Sequence, residues 1–560
     1  MKQVLRFFFT AALVLLVGIT QKSVAQQYEY LDVPQGYETL NLAVEGDTTA
    51  AGLAKSQNRV YRLERGGVYL LNGHLYNTKG APLRIFAAEG TGPKPLIIMA
   101  VDQTGANDDF AYCEGDAYFK NLYISGIDNI GKQNRYTMAI YGDARRIILD
   151  GVHVDQSRQS HFRTYGTNAK IFFYNCEFRN SIDLVTPSNG RFFDARGLMP
   201  DTILWQNNTV YLNSQRMFRL DGAIAKNLIF DHNTFYQNAY GTSTSSGTKQ
   251  GGGFEIAKGV KVRVTNNIFQ DMNAEGMRHA RSLNPPDRQP IIYVDSIKAD
   301  TLFTESSRDW VVRNNAYGWA PSLKAFWATI DTLKAPVFIS PYGDSAFFRN
   351  KPNFKQLNNF EEYIQFVDAP PADSLINYVK HRFKSNFDNK ANPDPRADRN
   401  GFGDLVAKPE TFGLETNPFN FDYPTTQKAY TAGDGGYPVG DLNWFPTRKA
   451  AWLQSQYTSV EGANTIATSY ELSQNYPNPF NPTTQIRFSL PKADKVSLTI
   501  YNALGQEIAR LVDGQHHDAG THTTTWNGRD AAGNLISSGV YFYQLQAGNT
   551  QITQKMIMVK

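Results

Sequence analysis

The sequence predicts an all-β chain, a parallel β-helix followed by a small β-sandwich. Three observations predict it. One frame recurs between Lys120 and Trp319 as Ile147-Ile-Leu-Asp-Gly-Val-His-Val154, Ile171-Phe-Phe-Tyr-Asn-Cys-Glu-Phe178, Ile203-Leu-Trp-Gln-Asn-Asn-Thr-Val210, Leu228-Ile-Phe-Asp-His-Asn-Thr-Phe235, Val262-Arg-Val-Thr-Asn-Asn-Ile-Phe269 and Trp310-Val-Val-Arg-Asn-Asn-Ala-Tyr317. Second, a further strand ends on Gly142, Gly166, Gly197, Gly222 and Gly259, at steps of 24, 31, 25 and 37 residues. Such a period means a solenoid with two or three short strands per turn and loops of variable length. Third, beyond Tyr470 the pattern changes to alternating strands separated by turns.

Taken in order, the chain opens with Met1-Lys-Gln-Val-Leu-Arg6, an apolar run from Phe7 to Ile19, and Ser23-Val-Ala25. That is a signal peptide over residues 1–25, with cleavage expected after Ala25. The run is too short for a membrane span and no later stretch is long and apolar enough for one. The net charge of +4 over 560 residues points away from nucleic acid. Aromatic content of 13% with 30 tyrosines suits a β-rich protein that contacts sugars. Of the two cysteines, Cys176 falls in the core-strand frame, which favours a buried thiol over a disulfide.

Residues 26–457 form the predicted β-helix with a distal cap. The first coils use Val60-Tyr-Arg-Leu63, Val68-Tyr-Leu-Leu71, Pro82-Leu-Arg-Ile-Phe86 and Lys94-Pro-Leu-Ile-Ile98. The Asn-Asn pairs of the main frame are turn chemistry, because asparagine tolerates left-handed backbone. With these residues the chain resembles the pectate-lyase-like superfamily of right-handed β-helices, over about Gln26 to Trp319. Its opening coils resemble secreted polysaccharide lyases, including the chondroitinase B and alginate lyase group. The resemblance implies a polysaccharide substrate and basic catalytic residues.

In the glycine-ended strands, alternation assigns Phe162, Phe193 and Phe218 to the core. The opposite register carries His161, Arg163 and Tyr165, then Asp194 and Arg196, then Arg219 and Asp221, with Glu255 and Lys258 on the next coil. Stacked about 4.8 Å apart, these residues form one polar face. Elimination on a uronic-acid chain needs a neutralised carboxylate, a base and a proton donor. Arg219, Lys258, Arg196, His161 and Arg163 are the candidate catalytic residues, and Tyr165 and Arg163 the candidate substrate contacts. Asp194, Asp221 and Glu255 are candidate calcium ligands. The same pattern fits cross-strand ion pairs on a solvated face, and a non-catalytic carbohydrate-binding or adhesive protein. An inverting hydrolase would use Asp194 and Asp221, roughly 7–8 Å apart as diagonal neighbours.

After Asn284 the repeat fades apart from the run at Trp310. Phe360 to Phe366 and Pro370-Pro371 read as loops and short helices over the distal end, with Asp373 capping a helix through Lys380. Asp388 to Asp404 reads as a polar loop, since its spacing fails the EF-hand pattern. Gly436 to Trp444 reads as a segment that docks on the solenoid.

Residues 458–469 read as a linker. In residues 470–560, Asn475-Tyr-Pro-Asn-Pro-Phe-Asn-Pro482, Ile500-Tyr-Asn-Ala-Leu-Gly505, Trp526-Asn-Gly528, Ser538-Gly-Val-Tyr-Phe-Tyr543 and Lys555-Met-Ile-Met-Val-Lys560 stand out. This tail resembles the type A C-terminal sorting domain of the type IX secretion system. The resemblance implies an Ig-like sandwich, recognition by the type IX machinery, and export across both membranes of a Gram-negative bacterium to the surface or medium.

Overall fold

A computed structural model describes residues 28–558, except 52, 78–79, 101–108, 130–132, 144, 184–185, 187–188, 196–197, 221–223, 241–252, 257, 276–289, 298–302, 331–334, 385–392, 396–418, 460–469, 476–477, 479, 519 and 549. The described residues divide into two compact units, one running to Lys449 and the other from Ala450.

In the first unit three parallel sheets wrap one core. The first runs over eleven strands from Glu29–Val33 to Phe354–Leu357, the second over eleven from Gly36–Tyr37 to Phe360–Glu361. The third has nine, from Leu75–Asn77 to Val337–Ile339. One coil is Arg146–Asp150, His153–Ser157 and Ser160–Thr164, and each strand pairs in parallel with its counterpart one coil on. The frame read from the sequence is the observed register. Ile147, Ile171, Ile203, Leu228, Val262 and Trp310 align across the first sheet. Val154, Phe178, Val210, Phe235, Phe269 and Tyr317 align across the second. All but Tyr317 are fully buried, and each such side chain contributes roughly 1.5–3 kcal/mol of burial.

The Asn-Asn pairs divide the work of the bend between the first two sheets. The first residue takes the left-handed backbone at Asn207, Asn266, Asn314 and Asn358, with φ of 53 to 59°. His232 takes the same place in its coil, at φ 53°. The second residue points inward and builds a ladder. Nδ2 of Asn208 donates to Oδ1 of Asn233 at 2.9 Å, Asn233 to Asn267 at 2.9 Å, Asn267 to Asn315 at 3.0 Å and Asn315 to Asn359 at 2.8 Å. Each amide also donates to a main-chain carbonyl, such as Phe230 O from Asn267, and each Oδ1 also accepts a main-chain N–H. Every buried polar atom of the ladder is thereby satisfied. Cys176 stands one coil before Asn208, where its backbone N–H reaches Asn208 Oδ1 and its buried thiol is pushed up in pKa by desolvation.

At the proximal end, a helix over Thr39–Gly46 buries Leu40, Asn41 and Val44 against the first coils. At the distal end the coils continue further than the sequence suggested. Pro290–Ile292 and Val337–Ile339 extend the third sheet, and Phe360–Glu361 is the last strand of the second sheet rather than loop. Short, irregular strands hide that periodicity. The helix there runs from Ala372 to Lys384, so Asp373 lies in its first turn, and Arg382 makes a fully buried ion pair with Glu275 at 2.9 Å. The run from Asp388 to Asp404 lies almost wholly outside the described residues.

The segment before Lys449 is a strap across the outer side of the asparagine bends. Asp434 accepts from Asn266, Arg313 and Asn314, and Gly440 N–H donates to Asn266 O. Asp441 accepts from Thr209 Oγ1 at 2.8 Å, Asn443 donates to Asn207 O, and Lys449 Nζ donates to Asn175 Oδ1. Burial raises the Asp441 carboxyl to about 6 against these donors.

The second unit is antiparallel. One sheet orders Glu471–Leu472, Thr484–Leu490 and Gly520–Trp526; the other orders Glu507–His517, Asp494–Asn502, Gly539–Ala547 and Thr550–Met558. The tail motifs hold it together. Phe480 is buried and its N–H donates to Ile557 O, while Asn478 Oδ1 accepts from Ile557 N. Gly528, at φ +67°, leaves space that a side chain would take from Pro482 O.

Candidate functional site

The outer face of the third sheet carries a row of residues in register, Tyr76, Tyr112, Ala139, Arg163, Asp194 and Arg219, and the Glu255 backbone pairs next in line. Two residues on, Tyr141 and Tyr165 leave the strands side by side just before their glycines. Ala139 is small, so Tyr112 leans over it toward Tyr141. The result is a strip of stacked rings with centroids 5.8 Å apart for Tyr76 and Tyr112, 4.9 Å for Tyr112 and Tyr141, and 4.5 Å for Tyr141 and Tyr165. The two ends are open, Tyr76 being 50% and Tyr165 40% exposed. Since the faces are taken by neighbouring rings, the strip offers ring edges and phenol hydroxyls. Burial, then Tyr112, raises the Tyr141 hydroxyl to about 12, so the strip stays protonated at neutral pH and can donate as well as accept.

Beside the strip the charges are enclosed. Arg163 donates to Tyr136 Oη at 2.6 Å and lies over the rings of Tyr136 and Tyr165, at 5.2 and 4.5 Å. Asp194 sits between Arg163 and Arg219, 3.9 Å from each, and its carboxylate is buried. The Arg219 side chain keeps 24% exposure. The sequence reading had these charges on one outward polar face, either a substrate groove or a solvated ladder of cross-strand ion pairs; the observed cluster is two guanidinium groups around one buried carboxylate. Asp194 is thus shared between two guanidinium groups, and among the described residues no group of three acidic, histidine or cysteine side chains is placed to hold a metal.

His161 is a correction. It lies inside the coil, fully buried, 5.8 Å from the Phe192 ring and with Nδ1 3.3 Å from Thr137 Oγ1. Strict alternation would turn it outward with Arg163. It sits at the corner where the chain leaves the second sheet, and there the row of His161, Phe192 and Met217 is enclosed along with the row of Phe162, Phe193 and Phe218. Burial lowers its pKa to about 4, so it is neutral at pH 7.

Phe254 and Ile256 face the core, and the backbone of Glu255 pairs with Arg219 as expected. Lys258 lies half-buried in the following turn. Arg196, Asp221 and the side chain of Glu255 lie outside what is described. The sequence reading placed Tyr165 on this face and did not single out Tyr76, Tyr112 or Tyr141, which stack with it. The repeated Tyr-Gly pair at Tyr141-Gly142 and Tyr165-Gly166 was the available signal.

The strip borders a cleft of about 630 Å³ between the end of the third sheet and the start of the first. Its walls include Asn77, Glu114, Asp116, Tyr141, Gly142 and Arg145.

No curated protein matches the chain. Among solved structures, the chain is similar to dimeric latent PorU from Porphyromonas gingivalis, at 20% identity over 17% of this chain and 10% of that one, with a TM-score of 0.15. It is also similar to PorZ, described as a surface component of the type IX secretion system of the same organism, at 19% identity over 18% of this chain and 13% of that one, with a TM-score of 0.13. The chain therefore spans a small part of either protein. Residues 477–551 match the FlgD Ig-like domain family.

Proposed function

We propose that this is an exported, cell-surface protein that binds an acidic polysaccharide along the outer face of its third sheet. The observation that carries the reading is the tyrosine strip, exposed at both ends and continuous with a polar cleft. Ring edges and hydroxyls spaced along the solenoid suit the hydroxyl-rich edge of an extended sugar chain. Arg219, partly exposed beside the strip, supplies positive charge for carboxylates. β-Elimination of uronic-acid chains is the chemistry such a face would serve, with Arg219 the first residue to test. Export rests on the signal-like start and on the tail motifs, which resemble a type IX sorting domain. The Ig-like match of residues 477–551 agrees with the fold of that tail.

The test is retention of the full chain on immobilised pectate, alginate and glycosaminoglycans, with absorbance of unsaturated product read in parallel. Retention is expected on at least one polymer, with at least a tenfold loss in Tyr165→Ala. Failure to bind any of the three, or retention untouched by Tyr165→Ala and Arg219→Ala together, would overturn the reading. Binding without product would assign an adhesive protein rather than a lyase.

A further inference from the structure

We propose that the cleft beside Tyr141 is a subsite for one carboxylate-bearing sugar ring, with Arg145 as its anion-binding group; this rests on the polysaccharide reading above. The cleft, at about 630 Å³, is in the size range of small-molecule sites. Arg145 reaches it because of a glycine. Gly142 has φ +76°, and a Cβ there would stand 3.1 Å from Arg145 Nε, so the guanidinium lies over the place a side chain would fill. Among the described residues that guanidinium makes no hydrogen bond or ion pair, and its Nε is buried.

The neighbouring carboxylates are already occupied or in water. Asp116 accepts the Arg146 backbone N–H at 2.8 Å and faces its guanidinium at 3.7 Å. Asp143, whose charge Arg145 feels, accepts from Thr167 N and Oγ1 at 2.6 and 2.9 Å. Glu114 is exposed. A guanidinium with free donors in a cleft fits a carboxylate, which it can grip with two parallel hydrogen bonds. Tyr141 belongs to both the strip and the cleft wall. A sugar chain lying on the strip therefore brings one ring over the cleft, where Glu114 and Asn77 face its hydroxyls.

The experiment is calorimetric titration of the full chain with glucuronate, with methyl glucoside as the neutral control, and with trigalacturonate. The wild type is expected to prefer glucuronate over methyl glucoside by at least tenfold. Arg145→Gln should abolish the preference and Arg145→Lys keep part of it, with unchanged far-UV dichroism and melting. Equal affinity for the charged and neutral sugars, no binding of glucuronate at millimolar concentration, or a preference unchanged in Arg145→Gln would each overturn the proposal. Loss of polymer retention in Tyr165→Ala with glucuronate preference intact supports a cleft separate from the strip. Wild-type preference for glucuronate without retention on any polymer would sink the polysaccharide reading and leave the cleft standing.

Discussion

Two ladders run along this solenoid, and they are built to opposite rules. The asparagine ladder is internal, and each amide satisfies its donors and acceptor on the coils before and after. The tyrosine strip is external, and its end residues are about half exposed. Repetition that serves stability closes every hydrogen bond, because a buried amide left unpaired is costly. The strip instead leaves its end rings open to solvent, as the proposed binding role requires.

The largest effect should come from breaking the inner ladder. Asn267→Ala orphans the Asn233 N–H and takes one hydrogen bond each from Asn233 Nδ2, Phe230 O and Asn315 Oδ1, of which Asn233 Nδ2 keeps Trp205 O and Asn315 Oδ1 keeps the Asn267 N–H. At about 1–3 kcal/mol for the orphaned donor and about 0.5–1.5 kcal/mol for each further bond, partly relieved by relaxation, the expected loss is roughly 3–5 kcal/mol in urea unfolding. A loss below 1 kcal/mol would show that the ladder is ornamental.

Next comes the place where the interior fails to close. Asp271 is fully buried, its Oδ1 accepts Ala320 N–H at 2.6 Å, and its Oδ2 has no partner. Desolvation raises its pKa to about 7. The folded state therefore binds a proton that the unfolded state has released between about pH 4 and 7. This contribution to stability is complete below the unfolded pKa and is lost as pH rises through 7, on the order of 4 kcal/mol in total. Asp271→Asn imitates the protonated form. It should flatten that slope and raise stability at pH 8 by about 2–4 kcal/mol, read from melting curves at pH 5 and 8. An unchanged pH slope in the variant would contradict this account.

On the outer strip the balance reverses. Tyr141→Ala should cost only about 1–2 kcal/mol of folding stability, from lost ring contacts, yet weaken polymer retention at least tenfold. A larger stability loss without any change in retention would make the strip a structural device. Smallest of all, Arg62→Ala breaks an exposed pair with Asp32 at 2.5 Å and should leave the unfolding midpoint unchanged, since exposed pairs contribute little.

The same contrast explains what the sequence revealed. The frame from Ile147 to Tyr317 was legible because inward residues must be apolar and bends must accept left-handed backbone. The inward places of Phe254 and Ile256 were legible too, because two apolar side chains flanking one charge compete for the core. His161 did not, because alternation holds within a strand and breaks at a coil corner. Tyr76, Tyr112 and Tyr141 were hidden because an outward tyrosine in a 13% aromatic chain carries no mark until its neighbours are known. The enclosure of Asp194 was also hidden, since burial of an outer face depends on side chains from other coils.

The strap has a consequence for the order of folding. Neighbouring coils touch across tens of residues, as Asn208 touches Asn233 over 25 positions, whereas Asp441 reaches Thr209 across 232 and Lys449 reaches Asn175 across 274. Coils can zip locally, but the buckle can fasten only after the last of them is in place, because long closures must wait for the surface they grip. In pulse-labelled hydrogen exchange, the amides of Gly440 and Asp441 should gain protection after those of Asn208 and Asn233. Such a chain, delivered from its amino end, becomes rigid from that end and is locked only when its final turn arrives.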